Sequence, residues 1–546
     1  MNHARSNSHS GSVLVLTSVF AVACAFFLFL QSEPVFPDPD SFYHIKVAEQ
    51  ISRYGVVDEF PWLTYTTLAT SYTDQHFLYH VVLIPFVELL DPVAGAKLAT
   101  VLINAGLITL IAAFLIRFRV RPWWLYTLIL LVTNPFLFRI SLVKAPGLSL
   151  IFLVVGLWLL MAGRRWPLAI LAFLYVWTYG GFALLAVLGV AYAVIASLVE
   201  THRRGIVISV FRRLSPRRGR LKELVRQRPV QQALVILLGL TVGILINPYF
   251  PNNLYFYWQQ LIQIGIVNFQ DVVNVGGEWH PYGFVELIAN TVFVSIAVLL
   301  ALITFVTTHR RQSAESWTLL PLAIFFFLIT LKSRRYVELY VPFAVLFSAF
   351  ALRDGVRQSS RELQKKALGL FARRRSLAVA LLFYVAGASF TVILRDERQL
   401  ARDLQSGFRA TELAGVSDWL RENTPKGSIV VHSDWDEFPI LFYHNTHNRY
   451  IVGLDPTFMY QYDRVLHERW ADLTRGVRGD DATQVITQDL KSTLVLVTKD
   501  HEPFDRIMQR QTGFTVVYED DEAKVYQLQP GQAVPAAPER TTIEAE

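Results

Sequence analysis

Four short stretches of this sequence hold residue types that can move protons or carry charge. The first is Pro37-Asp38-Pro39-Asp40-Ser41-Phe42-Tyr43-His44, two carboxylates with an imidazole one helical turn further on. Carboxylates so placed serve as a general base or as ligands of a hard divalent cation. They also serve as plain caps, and Asp40 suits the cap of a helix that starts at Ser41 and runs through Ile51. The second is Lys332-Ser333-Arg334-Arg335, whose guanidinium forks match phosphate oxygens. The bland alternative there is an ion pair with Glu338 or with lipid head groups. The third is Val275-Gly276-Gly277-Glu278-Trp279-His280-Pro281, where glycines lend mobility and an acid beside an aromatic suits sugar or acceptor contact. An ordinary turn has the same composition. The fourth is Ser433-Asp434-Trp435-Asp436-Glu437-Phe438-Pro439, followed later by Gly453-Leu454-Asp455-Pro456-Thr457. Both follow predicted strands, and loops at strand ends are common binding positions. Acidic turns with helix caps look alike. Trp177-Thr178-Tyr179-Gly180-Gly181 reads as a tight turn with interfacial aromatics.

The elements that must position these residues are membrane spans. Mean hydropathy is +0.35, which makes a bilayer the natural solvent for a chain of this size. The net charge of +7 does not argue for nucleic acid, because Lys and Arg cluster between apolar runs, as in cytoplasmic loops. Spans are predicted at roughly 12–31, 95–116, 122–138, 147–162, 167–178, 181–199, 232–247, 284–306, 317–331, 336–352 and 376–394, about eleven in all. Residues 13–31 could be read as a signal peptide, but no small-residue cleavage site follows and they are taken as a retained span. Between Arg203 and Arg228 lie ten Lys or Arg and one acid, Glu223. With the N-terminus inside, that loop (200–231), the basic loop 353–375 and the clusters at Arg117–Arg121, Arg164-Arg165 and His309–Arg311 all fall in the cytoplasm. The apolar segment Phe77 to Leu90 would break this pattern as a crossing. It is expected to lie on or dip into the outer face, with Asp74, His76 and His80 at the wet boundary.

The expected architecture is therefore a polytopic α-helical membrane protein. Residues 1–394 form the membrane part, with external loops 32–93 and 247–283. Residues 395–528 form a small extracytoplasmic α/β domain, and 529–546 a disordered tail. In that domain Ser428–His432, Leu494–Thr498, Thr515–Tyr518 and Lys524–Gln527 read as strands and Thr411–Glu422 as a helix. The single cysteine, Cys24, excludes an internal disulfide and a cysteine-based metal site.

In layout and in motifs the chain resembles the GT-C membrane glycosyltransferases, in particular the catalytic subunit of oligosaccharyltransferases. Asp40-Ser41-Phe42-Tyr43-His44 resembles the family's first-loop motif, an Asp followed by aromatics and often His. Arg119-Val120-Arg121-Pro122, a span, then Asn134-Pro135-Phe136-Leu137-Phe138-Arg139 resembles its inner basic-Pro turn and outer Asn-aromatic-Arg edge. The resemblance implies that Asp40, with Asp38 less well placed, contacts metal and acceptor. It implies a role for Glu278 on the mobile loop, and for Arg334 or Arg335, together with Arg139, on the lipid-linked phosphate. The family continues with a second acidic motif. Here Lys144-Ala145-Pro146-Gly147 stands in its place, without an acid. A family-type Mn2+ or Mg2+ site is thereby open to question, and Lys144 can supply the positive charge instead, in a metal-independent mechanism. The family's W-W-D-Y-G motif is matched only at Trp435-Asp436, so recognition of an Asn-x-Ser/Thr acceptor is not implied.

The implied activity is transfer of a sugar or oligosaccharide from a polyprenyl-phosphate or polyprenyl-pyrophosphate carrier to an acceptor at the outer face of a plasma membrane. Asp40 would orient or deprotonate the acceptor, and Arg334, Arg335 and Lys144 would stabilise the leaving phosphate. His44, His76, Trp279, Trp435 and Asp436 are candidates for holding the substrate. The acceptor class, whether protein, lipid or polysaccharide, stays open. The alternative is a non-catalytic membrane component that binds or exports lipid-linked glycans. A transporter is disfavoured, since the predicted spans carry almost no charge at mid-membrane.

Overall fold

A computed structural model describes residues 2–203, 227–358 and 375–529. Most of the basic loops predicted at 200–231 and 353–375, and nearly all of the tail at 529–546, lie outside the described residues. The chain is mostly helical. Among the described residues six helices are long and apolar enough to cross a bilayer: Ser12–Leu30, Pro92–Arg117, Arg228–Leu245, Val292–Arg311, Ala314–Lys332 and Arg334–Arg357. Four apolar helices are shorter: Phe77–Leu89, Pro146–Met161, Trp166–Thr178 and Ala183–Val199.

The stretch predicted as one straight span at 122–138 is two helices, Trp123–Leu131 and Asn134–Ser141, bent by 70°. Pro135 accounts for the break, because it offers no amide proton and restricts the residue before it. The second helix places Arg139 where it meets Glu278 and Glu338, far away in sequence. Phe77–Leu89, at 13 residues, is too short for a perpendicular crossing.

The helix expected after Ser41 is present as Asp40–Tyr54. Its start corrects the capping expectation. Asp40 is the first helical residue, Pro39 takes the cap position without a side-chain bond, and it is Asp38 Oδ1 that accepts from the Asp40 amide at 2.9 Å. The Asp40 carboxylate is thus left free of the backbone.

The C-terminal region holds a five-stranded mixed sheet. Its strands are β3 (Ile429–Val431), β4 (Arg449–Tyr450), β5 (Leu494–Thr498), β6 (Phe514–Glu519) and β7 (Ala523–Leu528), in the order β4-β3-β5-β7-β6. β3 lies parallel to both β4 and β5, while β7 is antiparallel to β5 and β6. β4, missed in the sequence, is two residues long and leaves no alternating pattern to read. The predicted helix is present as Ala414–Asn423.

This region is tied to the first long loop by backbone pairing and by aromatic packing. Val35–Phe36 (β1) pairs antiparallel with Phe408–Arg409 (β2). The Tyr450 amide donates to the Trp62 carbonyl at 2.7 Å, and the Trp62 indole donates to the Thr446 carbonyl at 2.9 Å. Phe42 and Phe60 are fully buried, with ring centroids 5.3 Å from Tyr443 and Phe442 respectively. Burying one such ring contributes about 2 kcal/mol, so this cluster anchors the Asp40–Tyr54 helix to the C-terminal region.

Candidate active site

The N-terminus of the Asp40–Tyr54 helix, the end of the Asn134–Ser141 helix, the turn after it, the Gly277–Trp279 turn and the Arg334–Tyr336 turn converge on one cavity of about 460 Å³. Asp40, His44, Arg139, Lys144, Glu278 and Arg335 line it. Six residues spread over nearly 300 positions of sequence thus share one space.

One side of the cavity is an acidic clasp on a single ammonium. Lys144 Nζ lies 2.8 Å from Asp38 Oδ2 and 2.8 Å from Asp40 Oδ2. Burial pushes the Asp40 carboxyl up to about 6; Lys144 opposes this, while Asp38 and Glu278 reinforce it. Burial also works against the Lys144 charge, but the two carboxylates outweigh it and hold the ammonium above its usual range. A divalent cation needs several oxygen or nitrogen ligands around one point. Here the ammonium fills the space between the two carboxylates, and among the described residues no group of three His, Cys, Asp or Glu side chains is placed to hold an ion.

The other side is a cationic pair joined by one carboxylate. Arg139 Nη1 donates to Glu278 Oε2, and its Nε donates to Glu338 Oε2 at 3.0 Å. Arg335 Nη1 lies 3.4 Å from Glu278 Oε1 and its guanidinium sits over the Trp279 ring at 4.2 Å. Burial alone would raise the Glu278 carboxyl, but Arg139, Arg335 and Lys144 outweigh it and hold it well below the usual carboxylate range. The Glu278 loop is fastened along its backbone. Ser333 Oγ donates to the Glu278 carbonyl at 2.9 Å, the Arg334 amide to the His280 carbonyl at 3.0 Å, and Asn268 Nδ2 to the Trp279 carbonyl at 3.0 Å.

Arg334 and Arg335 diverge. Arg334 points to the surface, with its side chain 47% exposed, 3.4 Å from Glu286 and over the Tyr282 ring. Neighbours in a tight 3₁₀ turn project about 120° apart, so only one of the two can face the cavity. Glu338, weighed in the sequence as the partner of the basic cluster, is held by Arg139.

His44 and His76 both line the cavity, and His44 ends a hydrogen-bonded chain that the sequence did not reveal, while the His76 ring lies against the Thr178 carbonyl. Asp74 Oδ2 lies 2.6 Å from His80 Nδ1, and His80 Nε2 lies 2.7 Å from His44 Nδ1. Burial, with His80 and His76 adding, holds His44 well below the usual imidazole range. Burial pushes His76 down to about 3, only partly offset by Asp74. The spacing of His76 and His80 on one helix turn was readable; the meeting of His44 with His80 depends on packing between two helices.

The strand-end segments divide. Asp455 lines the main cavity. Trp435 instead lines a second cavity of about 330 Å³ with Asn274, Asp434 and His501. Its indole donates to the Asn274 carbonyl at 3.1 Å, which links the C-terminal region to the loop that carries Glu278. Asp436 lines neither; burial, Asp434 and Glu437 push its carboxyl up to about 7.

No family model matches the sequence, and no curated protein matches it at a significant level. Solved structures do match in fold. The archaeal oligosaccharyltransferase AglB from Archaeoglobus fulgidus, in complex with an inhibitory peptide and a dolichol-phosphate, is 14% identical. The match covers 95% of this chain and 74% of that one, with a TM-score of 0.58. ArnT from Cupriavidus metallidurans bound to undecaprenyl phosphate is 14% identical over 96% of this chain and 99% of its own, with a TM-score of 0.53. The arabinofuranosyltransferase AftD from Mycobacteria is 13% identical over 95% of this chain but only 40% of its own, with a TM-score of 0.50. The chain shares the fold of these structures and, with six described helices long and apolar enough to cross a bilayer, is a multi-pass membrane protein.

Proposed function

We propose that the protein is a glycosyltransferase that moves a sugar from a polyprenyl-linked phosphate carrier to an acceptor at the outer face of the membrane. One observation carries this reading: a carboxylate free of the backbone, Asp40, opens into the same cavity as two arginines, in a chain with the GT-C fold. Neighbours of that fold are held with dolichol-phosphate and with undecaprenyl phosphate, which supports a polyprenyl donor here.

The acceptor nucleophile attacks the anomeric carbon, and the bond from that carbon to the phosphate oxygen breaks. The electron pair leaves with the phosphate, and Arg335 and Arg139 stabilise the charge that develops on it. Asp40, ionised above about pH 6, takes the proton of the acceptor. Lys144 holds Asp40 in place and supplies the positive charge that a divalent ion would otherwise bring. The Gly277–Trp279 turn covers the site and excludes water.

The test is turnover of a polyprenyl-phosphate sugar by the purified protein in nanodiscs, for wild type and Asp40→Ala. Sugar release or transfer that disappears in the variant, while carrier binding persists, supports the enzyme. Carrier binding with no turnover in wild type, whatever acceptor is offered, would sink it in favour of a non-catalytic glycan-binding component.

A further inference from the structure

The Glu278 carboxylate sits between the two arginines of the cavity. It accepts from Arg139 through one oxygen and lies 3.4 Å from Arg335 through the other, so two guanidinium forks converge on one planar, singly charged group. Arg forks bind carboxylate and phosphate oxygens with the same geometry. Both arginines line the cavity, and their side chains are 9% and 20% exposed. A donor phosphate seeking them must displace Glu278.

The charges around this point are closely matched. Arg139 and Arg335 carry two positive charges, and Glu278 and Glu338 two negative ones. Across the cavity Lys144 is already outnumbered by Asp38 and Asp40. Lys332 also lines the cavity, but it is exposed, with its ammonium on the Ile266 carbonyl, so water screens its charge. Asp455 adds a further carboxyl, and Asp74 is bound to His80. A phosphodiester brings one negative charge and replaces Glu278 without changing the balance. A pyrophosphate diester brings two. The second would face Asp38 and Asp40, which already outnumber Lys144, and like charges in a poorly solvated site repel strongly.

We infer that Glu278 is a built-in stand-in for the donor phosphate, and that the donor it admits is a polyprenyl monophosphate sugar rather than a pyrophosphate one. This rests on the transferase reading above and narrows its substrate class. The loop that carries Glu278 releases the arginines as the phosphodiester takes them.

The experiment compares two probes with the same lipid and the same sugar, polyprenyl-phosphate glucose and polyprenyl-pyrophosphate glucose. Their affinities are measured in nanodiscs for wild type, Glu278→Gln and Arg335→Ala. Wild type is expected to prefer the monophosphate by roughly tenfold or more. Glu278→Gln, which keeps the shape and removes the competing charge, is expected to bind the monophosphate more tightly by a similar factor. Arg335→Ala loses binding of both, which shows that the probe sits on the arginines. Equal or tighter binding of the pyrophosphate by wild type overturns the inference while leaving the transferase reading intact. So does unchanged or weaker binding of the monophosphate by Glu278→Gln, since Glu278 would then be a ligand of the donor and not its placeholder. Failure of every variant to bind either probe overturns both.

Discussion

The chain contains two Asp-x-Asp segments with opposite fates. Asp38-Pro39-Asp40 and Asp434-Trp435-Asp436 look alike in sequence, each a pair of carboxylates near an element boundary. In the first, both carboxylates reach one ammonium from a segment more than a hundred residues away. In the second, Asp434 turns back on its own chain and accepts from the Trp435 amide at 2.6 Å, and Asp436 rises to about 7 among other acids. His501 is the nearest cation, 3.7 Å from Asp434, and that contact is the main reason its imidazole is raised to about 9. The local pattern sets only where negative charge is. What that charge does depends on the cation that the fold brings opposite it.

Five measurements can break or sharpen this contrast. The largest effect is expected at the arginine side. Arg335→Ala should lower the transfer rate by about 10²–10³-fold, the range seen when one group that stabilises transition-state charge is removed. A loss below tenfold would mean that the leaving phosphate sits elsewhere.

The next effect lies in the pH profile. The Asp40 carboxyl is pushed up to about 6, and its ionised form is the active one, so the rate should climb as pH rises through about 6 and level off above it. Lys144 lowers that value, so in Lys144→Gln the acid limb should move to higher pH, with a loss in rate of about tenfold to a hundredfold. A limb that stays in place in Lys144→Gln would detach Asp40 from the proton transfer. Since Lys144 already fills the space between the carboxylates, chelation with EDTA should leave the wild-type rate within about twofold.

At the second segment a smaller effect is expected. Trp435→Ala removes the bond to Asn274 and loosens the Glu278 loop, so the rate should fall by no more than roughly tenfold. Comparing donor and acceptor KM values would show which substrate that loop serves.

Asp436→Asn should change the rate least, within about twofold. It should alter stability instead. The folded-state value of Asp436 is raised, so its favourable contribution is complete below the unfolded carboxylate range and is lost as pH rises through about 7. The variant should therefore melt above wild type at about pH 8 and level with it at about pH 3. A rate loss matching that of Asp40→Ala would erase the distinction between the two segments.

Much of this was legible in the residues. Apolar runs announced a helical membrane part, and alternating β-branched stretches announced β3, β5, β6 and β7 within a residue or two. Asp40, Glu278 and the Arg334-Arg335 pair were candidates by residue type, each beside a plain structural alternative, and Lys144 entered through the family resemblance. Their partners were not legible. The pairing of Lys144 with Asp38 and Asp40, the bridge from Arg139 through Glu278 to Arg335, and the chain from Asp74 through His80 to His44 all join distant segments. Nor could the sequence choose between Arg334 and Arg335, because adjacent residues share a composition and differ only in the direction that one turn of backbone gives them.

What the sequence by itself determined is the solvent of each segment, since apolar periodicity and charge decide which residues water will tolerate. It also determined which side chains carry titratable or phosphate-binding chemistry. Tertiary structure alone decided their use. The break at Pro135 aims Arg139 at a loop that begins more than a hundred residues later. Packing of Phe42 against Tyr443 holds the Asp40 helix beside that same cavity. Ion pairs act over a few ångströms of space, and distance along the chain says little about distance across a fold.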